Sequence, residues 1–415
     1  MAKIYLSRTG LIFLFIISIA ELFQAGILPV WYLTAILISC ILFGFGFLLY
    51  IRNRNKLIQE TILPVRLLIG QWVIYDIYNI LLYVIGAGYT DFFKSSMIQM
   101  TFPLIILLGG WGFYYIFKRN ALRYFVYSIV INFILVLVYQ LFKMGPRNFF
   151  GGIIGVFNGV SIGNPLETNA DAVFSIGLYF LYLVNQKNFE KPPRKRKLLL
   201  LLILIILCGK RSQYLALSVL AIFSFLTGFV QEKKLYKFET IASIMMIVTY
   251  YGYIYLLDTG ILSSVLYDSG INGMGRIQMW SYVAQFFDFS PMFLGHGYSF
   301  STLMLENNRV WTYNGAVYSL HGGVIGFYND LGFIIFGLWM IINLIVIPKY
   351  YRKRYGYHVT NLYWVLTVYL FVLYLTESSI NHFITQTLYI VILLHAINLK
   401  IVDRCDQSSK SLVTR

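Results

Sequence analysis

The sequence alternates long apolar runs with short polar connections over nearly its whole length. Most runs approach the ~20 residues that an α-helix needs to cross about 30 Å of hydrocarbon. Ten-residue segments of alternating polarity, typical of membrane β-barrels, do not occur. The pattern predicts an all-α integral membrane protein, a polytopic bundle of about twelve transmembrane helices. The predicted spans are 10–27, 30–50, 66–87, 97–117, 124–142, 171–186, 197–209, 212–230, 238–258, 323–347, 361–377 and 380–399.

One long stretch interrupts this series of spans, at residues 259–322. Residues 277–289 inside it have the amphipathic pattern of a short helix, and 291–298 are typical of a turn because of their proline and two glycines. A second glycine-rich polar segment lies at 145–170. We therefore interpret residues 1–415 as a single polytopic transmembrane domain, in which 259–322 forms a long extracytoplasmic loop carrying short helices.

The distribution of basic residues predicts the orientation of the spans. The chain is 59% hydrophobic and 12% charged, against about 25% charge in soluble domains, and its net charge is +16. With both termini cytoplasmic, most lysines and arginines fall on inner loops, as the positive-inside rule requires. Anionic lipid headgroups then explain the positive charge, and no nucleic-acid partner is needed. The outer side keeps only seven basic residues: Lys94, Lys143, Arg147, Lys210, Arg211, Arg276 and Arg309.

Several patterns of cofactor-dependent enzymes are absent from the sequence. It contains no G-x-x-x-x-G-K-S/T loop for nucleotide phosphates and no H-E-x-x-H metal motif. Paired acids of the D-x-D type, which hold a metal ion on a nucleotide sugar, do not occur in any loop. The three cysteines have neither disulfide nor metal-ligand spacing. We therefore expect no metal and no cofactor.

Two outer arginines are the first candidates for binding an anionic substrate. Arg211 stands at the outer end of an apolar span, where a guanidinium is costly unless it is paired or hydrated. The planar guanidinium group of Arg211 matches a diphosphate. Alternatively, the Arg211 side chain could reach lipid headgroups, and we expect the neighbouring Lys210 to face them. Arg276 opens the short helix of the long loop, a position that attracts anions, unless it pairs with Asp268 or Asp288.

A histidine and several further side chains complete the candidate set. His321 precedes the tenth predicted span, and an imidazole with its ordinary pKa of about 6.5 can accept a proton at neutral pH. His296, between two glycines, is the second candidate base, although its setting is more typical of a turn. The other candidates would contact the substrate or support these groups: Lys210, Trp280, Gly295, Gly297, Tyr298, Asp330, Arg147 and Glu167.

Several carboxyl groups lie in the predicted spans or at their edges, among them Asp76, Asp330 and Glu377. A carboxylate in hydrocarbon is costly, so each is expected to face the bundle interior or a hydrated cavity. Asp330 is nine residues after His321, about two and a half helical turns deeper. This spacing makes Asp330 a candidate supporting group for the histidine.

The segment from about Cys208 to Trp339 resembles the bacterial O-antigen polymerase and O-antigen ligase superfamily. The features that carry the resemblance follow in order: Gly209-x-Arg211-Ser212, Gly275-Arg276 with Trp280, Pro291 with Gly295-x-Gly297, His321 before a span, and Asp330-Leu331-Gly332 inside it. The resemblance covers about a third of the chain. It implies a helical bundle in the bacterial inner (cytoplasmic) membrane, with an active site that faces the periplasm or exterior.

The resemblance also implies an activity and roles for particular residues. Its members transfer glycans from undecaprenyl diphosphate, so Arg211 and Arg276 would bind the diphosphate and His321 would act as the base. A polymerase moves the chain onto another lipid-linked repeat unit, whereas a ligase moves it onto lipid A–core. We favour the polymerase, with lipid-linked oligosaccharide donor and acceptor, membrane lipids and a chain-length regulator as partners. A secondary transporter or flippase is the rival class. Transporters of this kind usually have internal repeat symmetry, and the single long loop of this chain argues against such symmetry.

Overall fold

The computed structural model describes residues 10, 14, 16–18, 31–53, 56–87, 97–158, 163–167, 170–227, 232–268, 276–307, 312–313, 316–317, 320, 322–377 and 382–413. In these ranges the chain is almost entirely helical, which confirms the predicted all-α class. One antiparallel pair of two-residue strands occurs, β1 (Thr312–Tyr313) with β2 (Ala316–Val317).

The helices follow the apolar runs of the sequence. In chain order they are α1 (Trp31–Asn53), α2 (Lys56–Val84), α3 (Met97–Phe117), α4 (Ala121–Met144), α5 (Pro146–Gly155), α6 (Ala170–Asn185), α7 (Lys195–Cys208), α8 (Arg211–Thr227), α9 (Glu232–Asp258), α10 (Ile261–Asp268), α11 (Arg276–Ala284), α12 (Phe300–Asn307), α13 (Gly323–Ile341), α14 (Ile347–Tyr355), α15 (Tyr357–Tyr374) and α16 (Phe383–Val413). A π-helical turn, Ile342–Val346, joins α13 to α14.

Six helical segments of the described chain are long and apolar enough to cross a membrane. They are Thr34–Arg52, Val65–Val84, Thr101–Met144, Lys234–Asp258, Gly323–Tyr355 and Phe383–Ile401. The third of these folds back at the 3-10 turn Lys118–Asn120. The rings of Phe113 and Phe125 lie 5.3 Å apart, whereas a continuous helix would separate them by about 18 Å.

The predicted number of twelve spans is not confirmed by these six segments. The predicted spans at 171–186, 197–209 and 212–230 form α6, α7 and α8, with 16, 14 and 17 residues. These helices are shorter than the ~20 residues that a perpendicular crossing requires. Most of the predicted span at 10–27 lies outside the described residues. The glycine-rich polar segment at 145–170 begins with the helix α5.

The helices expose apolar side chains outward and bury polar side chains between them. Large apolar residues remain exposed on several helices, among them Leu48, Val84 and Phe142. Inside the bundle, Gln71 and Asn343 exchange two amide hydrogen bonds of 3.2 and 3.0 Å. Contiguous exposed apolar surface of this kind needs a lipid or protein environment. The protein is therefore an α-helical membrane protein.

Glu190, in the connection between α6 and α7, joins that connection to α16. Its Oε1 accepts a hydrogen bond from the Tyr182 hydroxyl at 2.6 Å and lies 3.2 Å from His395 Nε2. The hydrogen bond from His395, assisted by that from Tyr182, lowers the pKa of Glu190 from 4.5 to about 2 although partial burial opposes the change. The ionised carboxylate is thus favoured by the folded state.

We expect the stabilising effect of Glu190 to depend on pH. Because its folded-state pKa is depressed, the stabilisation is present above pH 4.5 and is lost as the pH falls towards 2. Glu190→Gln should therefore unfold at a lower temperature than the wild type at pH 6–7. The difference should shrink as thermal unfolding is measured at successively lower pH. A constant difference across this range would contradict the assignment.

Candidate functional site

Lys210 is the centre of an ion-pair cluster at one end of the bundle. Its Nζ lies 3.2 Å from Glu167 Oε1 and 3.6 Å from Glu377 Oε1, and only 13% of the Lys210 side chain is exposed. We expected Lys210 to face lipid headgroups, and this prediction was wrong. Gly209 ends α7 in the left-handed conformation, with φ +69°, and α8 begins only two residues later. This reversal leaves Lys210 among the carboxylates.

The position of Glu167 is fixed by the loop in which it lies. Asn164 Nδ2 donates to the carbonyl oxygens of Leu207 and Cys208, both at 3.0 Å, and so caps the last turn of α7. Asn164 Oδ1 accepts the Leu166 N–H at 3.1 Å. The sequence predicts Glu167 among the residues that would contact the substrate or support the other candidate groups. In the structure it contacts Lys210.

The two candidate arginines each occupy the first position of a helix. Arg211 begins α8 and is exposed, whereas Arg276 begins α11 and is half-buried. Among the described residues, neither guanidinium forms an ion pair, and in particular Arg276 does not pair with Asp268 or Asp288. The structure also contains the short helix predicted at 277–289, although this helix ends at Ala284. Within the described part of the chain, both guanidinium groups therefore lack a carboxylate partner.

Contacts between backbone and side chains connect these segments. Trp280, one turn after Arg276 on α11, donates its indole N–H to the carbonyl oxygen of Leu320 at 3.0 Å. Gly323 N–H donates to the backbone oxygen of Glu377 at 3.3 Å, and the Glu377 carboxylate contacts Lys210. Three segments distant in sequence therefore meet near the start of α13. The candidate base His321 falls in this region of the sequence, but it lies outside the described residues.

An unpredicted carboxylate interaction lies at the start of α16. The Asp171 oxygens accept the N–H groups of Ile384 and Thr385 at 2.8 and 2.7 Å, which satisfies the N-terminus of this helix. His382 Nδ1 lies 3.8 Å from Asp171 Oδ1. Sequence reasoning omitted His382 and Glu377 from the candidate set. Both residues could have been recognised in the sequence as polar residues that lie at one end of an apolar run.

A second group of candidates lies where α13 is broken. Gly332, with φ +72° and ψ 177°, interrupts the helix, and the turn from Phe293 to Gly297 packs into the gap. The Phe333 N–H donates to the Phe293 carbonyl oxygen at 2.9 Å. The His296 N–H donates to the Asn329 carbonyl oxygen, and the Gly297 N–H donates to the Asp330 carbonyl oxygen, both also at 2.9 Å. The predicted turn at 291–298 is confirmed, and it folds back onto the bundle.

Several single candidates have structural roles in this second region. Tyr298 is buried, so its ring is not a surface on which a sugar can stack. His296 Nε2 lies 2.7 Å from the Phe286 carbonyl oxygen, and its ring stacks on Phe300 at 4.1 Å, as expected for a turn residue. Asp330 Oδ2 accepts the Ser299 N–H at 3.1 Å, next to the start of α12.

Arg147 is separated from the Lys210 cluster. It is exposed near the start of α5, whereas the far end of that helix approaches the cluster. Val156, which directly follows α5, would lie 3.2 Å from a Cβ built on Gly209. Nine residues of helix separate Arg147 from Val156, a rise of about 14 Å. The described ion pairs of Lys210 are with Glu167 and Glu377 and do not include Arg147.

Removing the Lys210 ammonium should destabilise the protein. Lys210→Met leaves Glu377, whose side chain is 6% exposed, without this ion pair. Breaking a fully buried pair costs about 3–5 kcal/mol, and we expect about 2–3 kcal/mol here because Glu167 is partly hydrated. Thermal unfolding in detergent would measure the loss, with Lys210→Arg as the charge-retaining control. Equal stability of Lys210→Met and wild type would show that the pairs contribute little.

No family model matches this chain, and no curated protein matches it. The likeness to the O-antigen polymerase and ligase superfamily therefore rests on the short motifs alone. The hydrogen bonds and ion pairs described above connect the regions around these motifs.

Proposed function

We propose that this protein is a polysaccharide polymerase of O-antigen or capsule repeat units. It would transfer a glycan chain from undecaprenyl diphosphate onto the sugar hydroxyl of another lipid-linked repeat unit. In this proposal the chain crosses a bacterial inner membrane about twelve times, with both termini cytoplasmic and the site facing the periplasm or exterior. The excess of lysine and arginine in the predicted inner loops supports this orientation.

The observation that carries the proposal is the contrast between Lys210 and the two arginines. Lys210 is held by two carboxylates, whereas Arg211 and Arg276 have no ion-pair partner among the described residues. Both arginines stand at helix N-termini, where exposed N–H groups add to the positive potential. A diphosphate offers several oxygens to planar guanidinium groups and can be bound in a bidentate manner.

The proposed mechanism requires no nucleotide and no metal ion. Arg211 and Arg276 stabilise the negative charge that develops on the diphosphate as the bond between the anomeric carbon and the phosphate oxygen breaks. His321 accepts the proton of the acceptor hydroxyl while the oxygen forms the new glycosidic bond. Direct displacement of this kind inverts the anomeric configuration. Membrane lipids surround the bundle, and a separate chain-length regulator is the proposed protein partner.

The proposal is tested by elongation in a defined system. The purified protein, reconstituted in vesicles, is mixed with undecaprenyl-diphosphate repeat units from its own host, in the presence of a chelator and without nucleotide. A ladder of lengthening products on a gel is the expected result. Transfer that occurs only when lipid A–core is added would replace the polymerase with a ligase. Folded protein that is inactive with both acceptors would overturn the proposal.

A secondary transporter is the second candidate, because α13 is broken at Gly332. Discontinuous helices form the substrate and ion sites of many transporters, where the freed backbone groups face the ligand. Here the gap is filled by the turn from Phe293 to Gly297 rather than left open. Uptake of lipid-linked or free oligosaccharide by the same vesicles, without a product ladder, would favour transport over polymerisation.

A further inference from the structure

Four oxygen-bearing side chains converge between α2, the turn after Phe293 and the break in α13. They are Tyr75 and Asp76 on α2, Tyr298 after the turn, and Asp330 beside the break, and each is at least nine-tenths buried. Burial raises the pKa of Tyr298 well above its usual value, and the neighbouring Asp76, Tyr75 and Asp330 raise it further. The Tyr298 phenol is therefore neutral and lies within electrostatic reach of both carboxyl groups.

Each of these four side chains has an oxygen without a hydrogen-bond partner among the described residues. The atoms are Tyr75 Oη, Asp76 Oδ1, Tyr298 Oη and Asp330 Oδ1. Buried polar atoms are nearly always satisfied, since leaving one unpaired costs roughly 1–3 kcal/mol. Four such atoms on neighbouring segments point to a ligand that binds to oxygen.

Other groups fix the positions of these side chains. Asn79 Oδ1 accepts the Tyr298 N–H at 2.8 Å, and the Tyr78 hydroxyl donates to the Leu294 carbonyl oxygen at 2.6 Å. The Gly297 N–H donates to the Asp330 carbonyl oxygen at 2.9 Å. The segments that carry the four unsatisfied oxygens are thus held next to one another by contacts that do not use these oxygens.

The charge and donor type of the cluster select the kind of ligand. All four donors are oxygens, which hard cations prefer over softer metals. The charge of Asp330 is partly offset, because its Oδ2 accepts the Ser299 N–H at the start of α12. Because two buried carboxyl groups near each other do not both ionise readily, the cluster carries about one negative charge, and a single positive charge balances it.

We propose that Tyr75, Asp76, Tyr298 and Asp330 form a binding site for a sodium ion. The ion would connect three parts of the molecule: helix α2, the long loop that contains Tyr298, and the broken helix α13. Its binding would stabilise the docking of the loop on the bundle. This role does not depend on the polymerase proposal, and it would hold for any function of the loop.

The test compares the thermal unfolding of the purified, detergent-solubilised protein in sodium, potassium and choline chloride at equal ionic strength. A ligand that binds only the folded state, at about one hundred times its Kd, should raise the Tm by about 3–5 °C for a protein of this size. We expect this increase in sodium and not in choline. Equilibrium binding of radiolabelled sodium would give the affinity directly.

Two substitutions connect the sodium effect to the cluster. Asp76→Asn removes one of the two carboxyl groups and Tyr298→Phe removes a neutral donor, so both should abolish the difference between sodium and choline. Tyr114→Phe is the matched control, because its hydroxyl is also buried and without a partner among the described residues but lies on α3, outside the cluster. Asp330 is left intact because it also binds the start of α12.

Three outcomes would overturn the proposal. In the first, the Tm of the wild type is the same in sodium and choline chloride. In the second, calcium or acidic pH raises the Tm and sodium does not, so that a divalent ion or a proton occupies the cluster. In the third, Asp76→Asn and Tyr298→Phe fold and keep the full sodium effect of Tyr114→Phe. Loss of the effect in the two cluster variants alone would support the site.

Discussion

Under the proposed polymerase activity, Arg276→Ala should lower the rate of glycan elongation by about 100- to 1,000-fold, the loss typical of removing one group that stabilises developing charge in a transition state. Arg276 begins α11, is half-buried and has no ion-pair partner among the described residues. Its removal should therefore reduce binding of the leaving diphosphate without exposing a buried carboxylate. The measurement is the initial rate of ladder formation in vesicles, at equal amounts of folded protein.

The control for this prediction is an arginine in a similar helical position. Arg123→Ala removes an exposed guanidinium from the first turn of α4, on a predicted inner connection, and elongation should remain near the wild-type rate. Arg276→Lys keeps the charge but loses the planar fork, so an intermediate rate is expected. If Arg276→Ala and Arg123→Ala elongate equally fast, Arg276 does not bind the diphosphate. Arg211→Ala tests in the same way whether Arg211 contacts substrate or only lipid headgroups.

The helical architecture could be predicted because apolar runs and polar interruptions specify it locally. The apolar run at 97–117 and the basic residues after it predicted α3 and the fold-back at Lys118–Asn120. The number of membrane crossings could not be predicted in the same way. A helix of 14 residues such as α7 looks like a span in an apolar sequence, but it is too short to cross alone.

The break in α13 was missed for a different reason. Gly332 lies inside an apolar run, and an isolated glycine is common in membrane helices. The break depends on a distant partner, since the Phe333 N–H pairs with the Phe293 carbonyl oxygen. Sequence reasoning did find both ends of this contact, the turn with Gly295 and Gly297 and the Asp330-Leu331-Gly332 motif. The sequence alone does not show that these two segments contact each other.

The candidate site could be predicted in outline but not in its side-chain directions. Lys210 and Arg211 are adjacent, and the sequence favoured the arginine as the inward group because guanidinium matches diphosphate. The left-handed Gly209 determines the outcome, since the chain reverses there and Lys210 reaches Glu167 and Glu377. Which of two neighbouring cations contacts the carboxylates depends on such a turn, and composition does not specify it.

The contact between the broken helix and its turn should make Gly332→Ala one of the most destabilising substitutions in the protein. A Cβ at Gly332 would lie 2.2 Å from the Leu294 carbonyl carbon and 2.5 Å from the Phe293 oxygen, both backbone atoms. The Gly332 conformation, φ +72° and ψ 177°, is in addition almost restricted to glycine and costs other residues about 1–3 kcal/mol. Clash and strain together should exceed about 4 kcal/mol.

Gly260→Ala separates the clash from the backbone strain. Gly260 also has φ +72°, but a Cβ there would meet nothing within 4 Å. Its replacement should cost only the strain of a left-handed residue, about 1–2 kcal/mol. Thermal unfolding and the monodisperse fraction in detergent would measure both variants. Similar, small losses would show that the turn at Leu294 moves away from α13 easily, whereas a much larger loss at Gly332 would show that the loop and the broken helix form one rigid unit.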